Sequence, residues 1–122
     1  MSRFHSRAKS FGYAFNGIKI ALKQEPNLKI HLALALIALT SAYFLSFTLA
    51  EWALLVLTIA LVLILELINT AIEAMTNILS PEKREAARVA KDVSAAAVLT
   101  SAITALVVGA LLFLPKLVTL FY

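Results

Sequence analysis

Cysteine is absent from the 122-residue chain. That excludes a disulfide framework, a thiolate metal site and a cysteine nucleophile. Glycine is scarce, standing only at positions 12, 17 and 109. No glycine-rich loop is therefore present to cradle phosphates, and neither a P-loop nor the soluble protein-kinase signatures occur. His5 and His31 are isolated, lack metal-ligand spacing and read as interfacial polar residues. No serine–histidine–acid arrangement stands out. Charge is also sparse, at 15% of residues, where a soluble domain carries about a quarter. Hydrophobic residues make up 61%, and the mean hydropathy is +0.91. The composition is that of a membrane protein, with room for one domain and no internal repeat.

The few charges are placed unevenly, with a net of +4. Arg3, Arg7, Lys9, Lys19, Lys23 and Lys29 form one basic cluster, with Glu25 the only acid among them. Lys83, Arg84, Arg88 and Lys91 form a second, and Lys116 stands apart. The first cluster runs too far for a secretory signal, and no short apolar core with a cleavage site follows promptly. Contact with a membrane surface explains these cations, and nucleic acid is not expected as a partner.

Phe4, Ala8, Phe11, Phe15, Ile18 and Leu22 alternate in spacings of four and three, which is one apolar stripe on a helix. Flanked by Lys and Arg, that stripe suits a helix lying in the lipid interface, within 1–25. Pro26 biases Glu25 away from helical geometry, so the chain should break there. Three long apolar runs follow, each able to cross a bilayer core. They predict helices at 30–49, 52–79 and 82–114. Ser80-Pro81-Glu82 reads as an N-cap, a first-turn proline and a first-turn acid, and Pro115 as the end or break of the last helix. The expected architecture is all-α: an amphipathic surface helix and three transmembrane helices in one domain, 1–122. With three crossings both basic clusters fall on one side, which the positive-inside rule makes cytoplasmic, the N-terminus included. Ala95, Ala102 and Gly109 recur every seven residues, a seam of small side chains that suits close helix packing in a homo-oligomer.

One segment breaks the apolar pattern, "LELINTAIEA" at 65–74. Glu66, Asn69, Glu73 and Asn77 follow i, i+3, i+7, i+11 and share one helix face. Counted from Trp52 at about 1.5 Å per residue, Glu66 lies roughly 21 Å into a core about 30 Å thick. A carboxylate at that depth marks a functional site. No basic residue lies at matching depth in the other two spans. The turn near Ser80 makes the second and third spans antiparallel neighbours, so Lys91 is expected to approach the level of Asn69. Glu73, Asn69, Lys91 and Asp92 then meet at the interface. Carboxylates beside a lysine suit a magnesium–polyphosphate: hard oxygens for the metal, an ammonium for the phosphates. A proton or cation relay through Glu66 and Glu73, or a structural subunit of a larger complex, are the alternatives these residues leave open.

"ELINTAIEA" followed by "AKDVSAAAVL", together with "FGYAFNGIKIALKQEPNLKIH", resembles the prokaryotic membrane-integral diacylglycerol kinase family, closest to its undecaprenol-kinase branch. The resemblance covers nearly the whole chain. It implies a homotrimer in the bacterial cytoplasmic membrane that moves the γ-phosphate of ATP, with Mg2+, to a lipid alcohol. By position it implies Glu66 as general base and Glu25 and Glu73 as metal-binding carboxylates. Asn69, Lys91 and Asp92 match polar residues around the nucleotide, and Tyr13 a nucleotide contact near the surface helix. Two positions depart from the family pattern. Asn77 replaces a usual aspartate, and the usual N-terminal arginine aligns with Ser6, with Arg7 one place along.

Overall fold

The computed structural model describes residues 3–80, 82 and 84–122, the first three of these by backbone alone. Four helices and no strand occur among the described residues: α1 (Arg3–Gln24), α2 (Pro26–Phe44), α3 (Leu49–Leu79) and α4 (Glu85–Phe121). The last three are long and apolar enough to cross a membrane. At 31 residues α3 is about 46 Å long, so its ends extend beyond a hydrocarbon layer of about 30 Å. The chain is a multi-pass membrane protein.

The break at Glu25 falls where Pro26 requires it. Glu25 is extended, with φ −110° and ψ 104°, and Pro26 opens α2 at its first turn. Because Pro26 starts the helix instead of merely ending α1, α2 begins four residues earlier than the apolar run at 30 predicted. That shift draws His31 into the second turn of a spanning helix. The expected boundary of 49 also moves back, to Phe44.

The chain turns between α2 and α3 through a Schellman motif. Phe47 N–H donates to Ala42 O at 3.2 Å and Ser46 N–H to Tyr43 O at 3.3 Å. Ser46 takes the left-handed conformation at φ 52°, which usually calls for glycine. Phe47 and Ala42 then bury together with Leu55 and Leu112. Ser46→Gly is expected to raise stability by about 1 kcal/mol, because it removes the Cβ penalty of that conformation. Thermal unfolding in detergent measures it. α3 opens with a reciprocal cap: Thr48 N–H donates to Glu51 Oε2 at 2.7 Å, and Glu51 N–H to Thr48 Oγ1 at 3.3 Å. It therefore starts at Leu49, ahead of Trp52.

Two expectations about α4 change. The predicted start at 82 gives way to Glu85, with Arg84 as N-cap and Glu82 in a turn; Pro81 lies outside the described residues. Ser80 still accepts an entering amide, from Arg84 N–H at 3.4 Å, while itself capping the end of α3. Pro115 does not end the helix, which continues to Phe121. Tertiary contacts on either side hold the turn that the proline weakens. The Phe113 ring packs 4.9 Å from Phe47, and Lys116 Nζ lies 3.1 Å from Glu51 Oε2. α1 runs unbroken through Gly12 and Gly17. It touches α2 and α3 while exposing Phe11 and Phe15.

Candidate active site

Glu66 is the most deeply buried large side chain described, with 1% of its surface accessible. Its Oε2 has no hydrogen-bond partner among the described residues. The group across from it is His31 of α2, whose Nε2 lies 3.9 Å from that oxygen. The sequence reading placed no basic group at the depth of Glu66 and read His31 as an isolated interfacial residue. The structure corrects both points, and the early start of α2 is the reason. A single titratable residue in an apolar run carries little spacing signal, so only the helix boundary brings it into view.

Glu25, at the α1–α2 break, and Glu73, two turns beyond Glu66 on α3, both lie within electrostatic reach of Glu66. Two further carboxylates, from two parts of the chain, therefore act on the charge of Glu66. No group of three or more His, Cys, Asp or Glu side chains among the described residues is ready to hold a metal ion. Magnesium does not need such a cage. It commonly takes one or two carboxylates, with water and substrate phosphates completing its shell. Glu25 and Glu73 supply donors of that kind.

Along the contact between α3 and α4 the register differs from the expected one. Asn69 meets Ser94, whose Oγ donates to Asn69 Oδ1 at 2.7 Å, and both are buried. Lys91 reaches back and donates from Nζ to Asn77 Oδ1. It was expected beside Asn69. Two physical causes account for the shift. The connection at 80–84 is longer than a tight turn, and a helical side chain leans toward its own N-terminus. Lys91 thus points at the end of α3, and Ser94, one turn further along, takes the place opposite Asn69. The sequence reading missed Ser94, although its i+3 spacing from Lys91 was visible.

Asp92 does not join Lys91 and Glu73. It accepts from Arg88 Nη1 at 3.0 Å on an exposed face, where Arg88 also pairs with Glu85. The residue next to Lys91 points about 100° away around the helix, which puts Asp92 on a different side. Tyr13 stands exposed on α1, three turns before Glu25. The structure therefore sets Glu66 against His31 at one end of a polar track, with Glu25 and Glu73 within electrostatic reach and Glu73 further along α3, between Asn69 and Asn77. Asn69 with Ser94, and Asn77 with Lys91, continue that track toward the turn between α3 and α4.

A cavity of about 380 Å³ lies between α2, α3 and α4 beside the site, lined by His31, Leu55, Val62, Ala105, Gly109 and other apolar residues. Its only hydroxyl among the described residues belongs to Thr58, whose Oγ1 donates to Leu54 O at 2.7 Å. A Cβ added to Gly109 would meet no atom within 4 Å, so the small-residue seam of α4 is open on this face.

Known proteins resemble this chain along most of its length. The family model described as prokaryotic diacylglycerol kinase matches residues 12–113. A protein of Synechocystis sp. named diacylglycerol kinase is 40% identical over 112 residues, 91% of this chain and 64% of its own length. This chain thus spans a little under two thirds of that relative. The undecaprenol kinase of Bacillus subtilis is 36% identical over 109 residues, 89% of either chain. The diacylglycerol kinase of Escherichia coli K12 is 32% identical over 104 residues, 85% of either chain. The matched segment contains every residue of the polar track, from Glu25 to Ser94. The chain belongs to the prokaryotic diacylglycerol kinase family.

Proposed function

We propose that this protein is a lipid kinase that transfers the γ-phosphate of Mg-ATP to the hydroxyl of a membrane lipid alcohol, diacylglycerol or undecaprenol. Family membership supports the lipid-kinase reading and leaves the proton or cation relay without support. The observation that carries the mechanism is the buried Glu66, whose Oε2 has no hydrogen-bond partner among the described residues, within a spanning helix and at the head of a polar track that leads to the α3–α4 turn. A lipid hydroxyl lies just below the interface, while a nucleotide stays in water. That track spans the two levels.

In this reading Glu66 takes the proton of the lipid hydroxyl as the hydroxyl oxygen bonds to the γ-phosphorus. The bond from that phosphorus to the bridging oxygen breaks, and ADP leaves with the electron pair. Glu25 and Glu73 would hold the magnesium, which supplies charge neutralisation on the phosphate oxygens. Lys91 serves the same phosphates. Its partner is the neutral amide of Asn77, so its positive charge is held in place without being cancelled. Asn69, fixed by Ser94, lines the route between base and phosphates. Tyr13 and Asp92 complete the nucleotide set through the family likeness, Asp92 by exchanging Arg88 for the ligand. The basic clusters put the N-terminus and the α3–α4 turn on the cytoplasmic side of a bacterial inner membrane. The open seam of Ala102, Ala105 and Gly109 supports assembly into the family's homotrimer.

The test is phosphate transfer from labelled ATP in mixed micelles, with diacylglycerol and undecaprenol offered separately. Phosphorylated product with at least one lipid is expected, together with an absolute need for magnesium. No product with either, from folded protein, would refute the assignment.

A further inference from the structure

The reaction above uses Glu66 and leaves His31 without a task. The two facing atoms, His31 Nε2 and Glu66 Oε2, are 3.9 Å apart, too far for a hydrogen bond between them. Oε2 is closed to a water-sized group in this arrangement, so the His31 ring must turn aside to admit a hydroxyl oxygen, which at about 2.8 Å from each atom would then bridge them. The Glu66 oxygen on one side is buried and has no partner among the described residues. His31 on the other side lines the apolar cavity, where the Thr58 hydroxyl is already committed to Leu54. His31 therefore stands between the cavity that it lines and Glu66, which lies behind it outside that lining.

We propose that His31 orients the acceptor: its Nε2–H donates to the lipid hydroxyl oxygen while that hydroxyl donates its own proton to Glu66 Oε2. The inference rests on the lipid-kinase reading and assigns this chain's histidine a role in it. Valence explains why two contacts are useful. A hydroxyl oxygen has one hydrogen and two lone pairs. With the hydrogen on Glu66 and one lone pair on His31, a single lone pair remains, and its direction is fixed. With Glu66 alone the alcohol turns about one hydrogen bond, and the attacking lone pair sweeps a cone. His31 thus improves alignment for in-line attack. In the reaction the O–H proton passes to Glu66 and the new P–O bond forms from the free lone pair. The imidazole keeps its proton throughout. A lipid alcohol with a single accessible hydroxyl satisfies the pair completely.

His31→Leu removes the donor and keeps an apolar side chain of similar reach; His31→Gln keeps an N–H donor at about the same distance. We expect His31→Leu to lower kcat/KM for the lipid by about 10- to 100-fold, the loss of one hydrogen bond at a buried site. The KM for ATP should stay within about twofold, since the nucleotide binds elsewhere on the track. His31→Gln should recover most of the loss. Wild-type lipid kinetics in His31→Leu would overturn the proposal. So would equal losses in both variants accompanied by a lower unfolding temperature, which would make His31 a packing residue.

A binding measurement separates this inference from the enzymatic reading. The chain has two histidines, so the imidazole 15N signals of His31 are assigned against His5. Adding 1,2-dioctanoylglycerol without nucleotide should shift the His31 signal and leave that of His5 in place. An unmoved His31 signal in a protein that phosphorylates the lipid would overturn the role of His31 alone. Absence of phosphorylation from the wild type, with either alcohol, would overturn the kinase reading and this inference with it.

Discussion

Glu66→Gln should abolish phosphate transfer, by at least about 10²- to 10⁴-fold in kcat, while the protein still folds, assembles and binds nucleotide. The substitution is nearly isosteric. It keeps a polar group opposite His31 but removes the only buried carboxylate among the described residues, the proposed acceptor of the hydroxyl proton. Stability should hold or rise, because a buried carboxylate with no hydrogen bond to its Oε2 among the described residues costs free energy that an amide does not. The KM for ATP should change little, since Glu73 and Lys91, further along the track, carry the phosphates in this scheme. The measurement is steady-state transfer to diacylglycerol and undecaprenol, with an unfolding midpoint and nucleotide binding as controls. A variant that retains a tenth of wild-type kcat would rule out Glu66 as base. An inactive variant that has also lost its fold would instead make the residue structural.

The elements were legible where local chemistry is strong. Pro26 fixed the break at Glu25, and runs of apolar residues fixed three spanning helices. The i, i+3, i+7, i+11 spacing of Glu66, Asn69, Glu73 and Asn77 defines the polar face of α3 from sequence alone. Boundaries were less legible, some because they depended on a contact distant in sequence and some because a local cap was masked by its apolar surroundings. α4 runs through Pro115 since Phe113 and Lys116 are held by Phe47 and Glu51, across the bundle. α3 opens at Thr48 through a Thr-x-x-Glu cap that the sequence displays but that the apolar run beside it obscured.

The partner of each polar side chain was the hardest part to read. Register between two antiparallel helices depends on the length of their connection, and three or four residues of error move every pairing by a turn. Lys91 was accordingly assigned to Asn69 and belongs to Asn77, and Ser94 filled the vacated place. His31 illustrates the same dependence more sharply. Its position relative to Glu66 follows from starting α2 at Pro26, because four residues added at that end set His31 about 6 Å further along the helix from the break. The candidate base was therefore visible in the sequence, whereas the group facing it was not.

Glu73→Gln should act on the other end of the reaction. In this scheme Glu73 and Glu25 share the magnesium that accompanies ATP, and neither touches the lipid. Removing one hard anionic oxygen weakens the metal without abolishing its site, because phosphate and water oxygens remain. The expected result is a rise of about tenfold or more in the magnesium concentration needed for half-maximal rate, with a parallel rise in KM for ATP. Lipid KM should be unchanged, and excess magnesium should restore much of kcat. Glu25→Gln should behave in the same way. The double variant distinguishes one shared ion from two separate sites: carboxylates on one ion give losses that are not additive, whereas independent sites give losses that add. A Glu73→Gln enzyme with normal magnesium dependence and a raised lipid KM would move Glu73 from the metal to the acceptor side. The same outcome for Glu25 would leave the hydroxyl pocket with four polar walls, and the phosphates with Lys91 as their principal protein ligand.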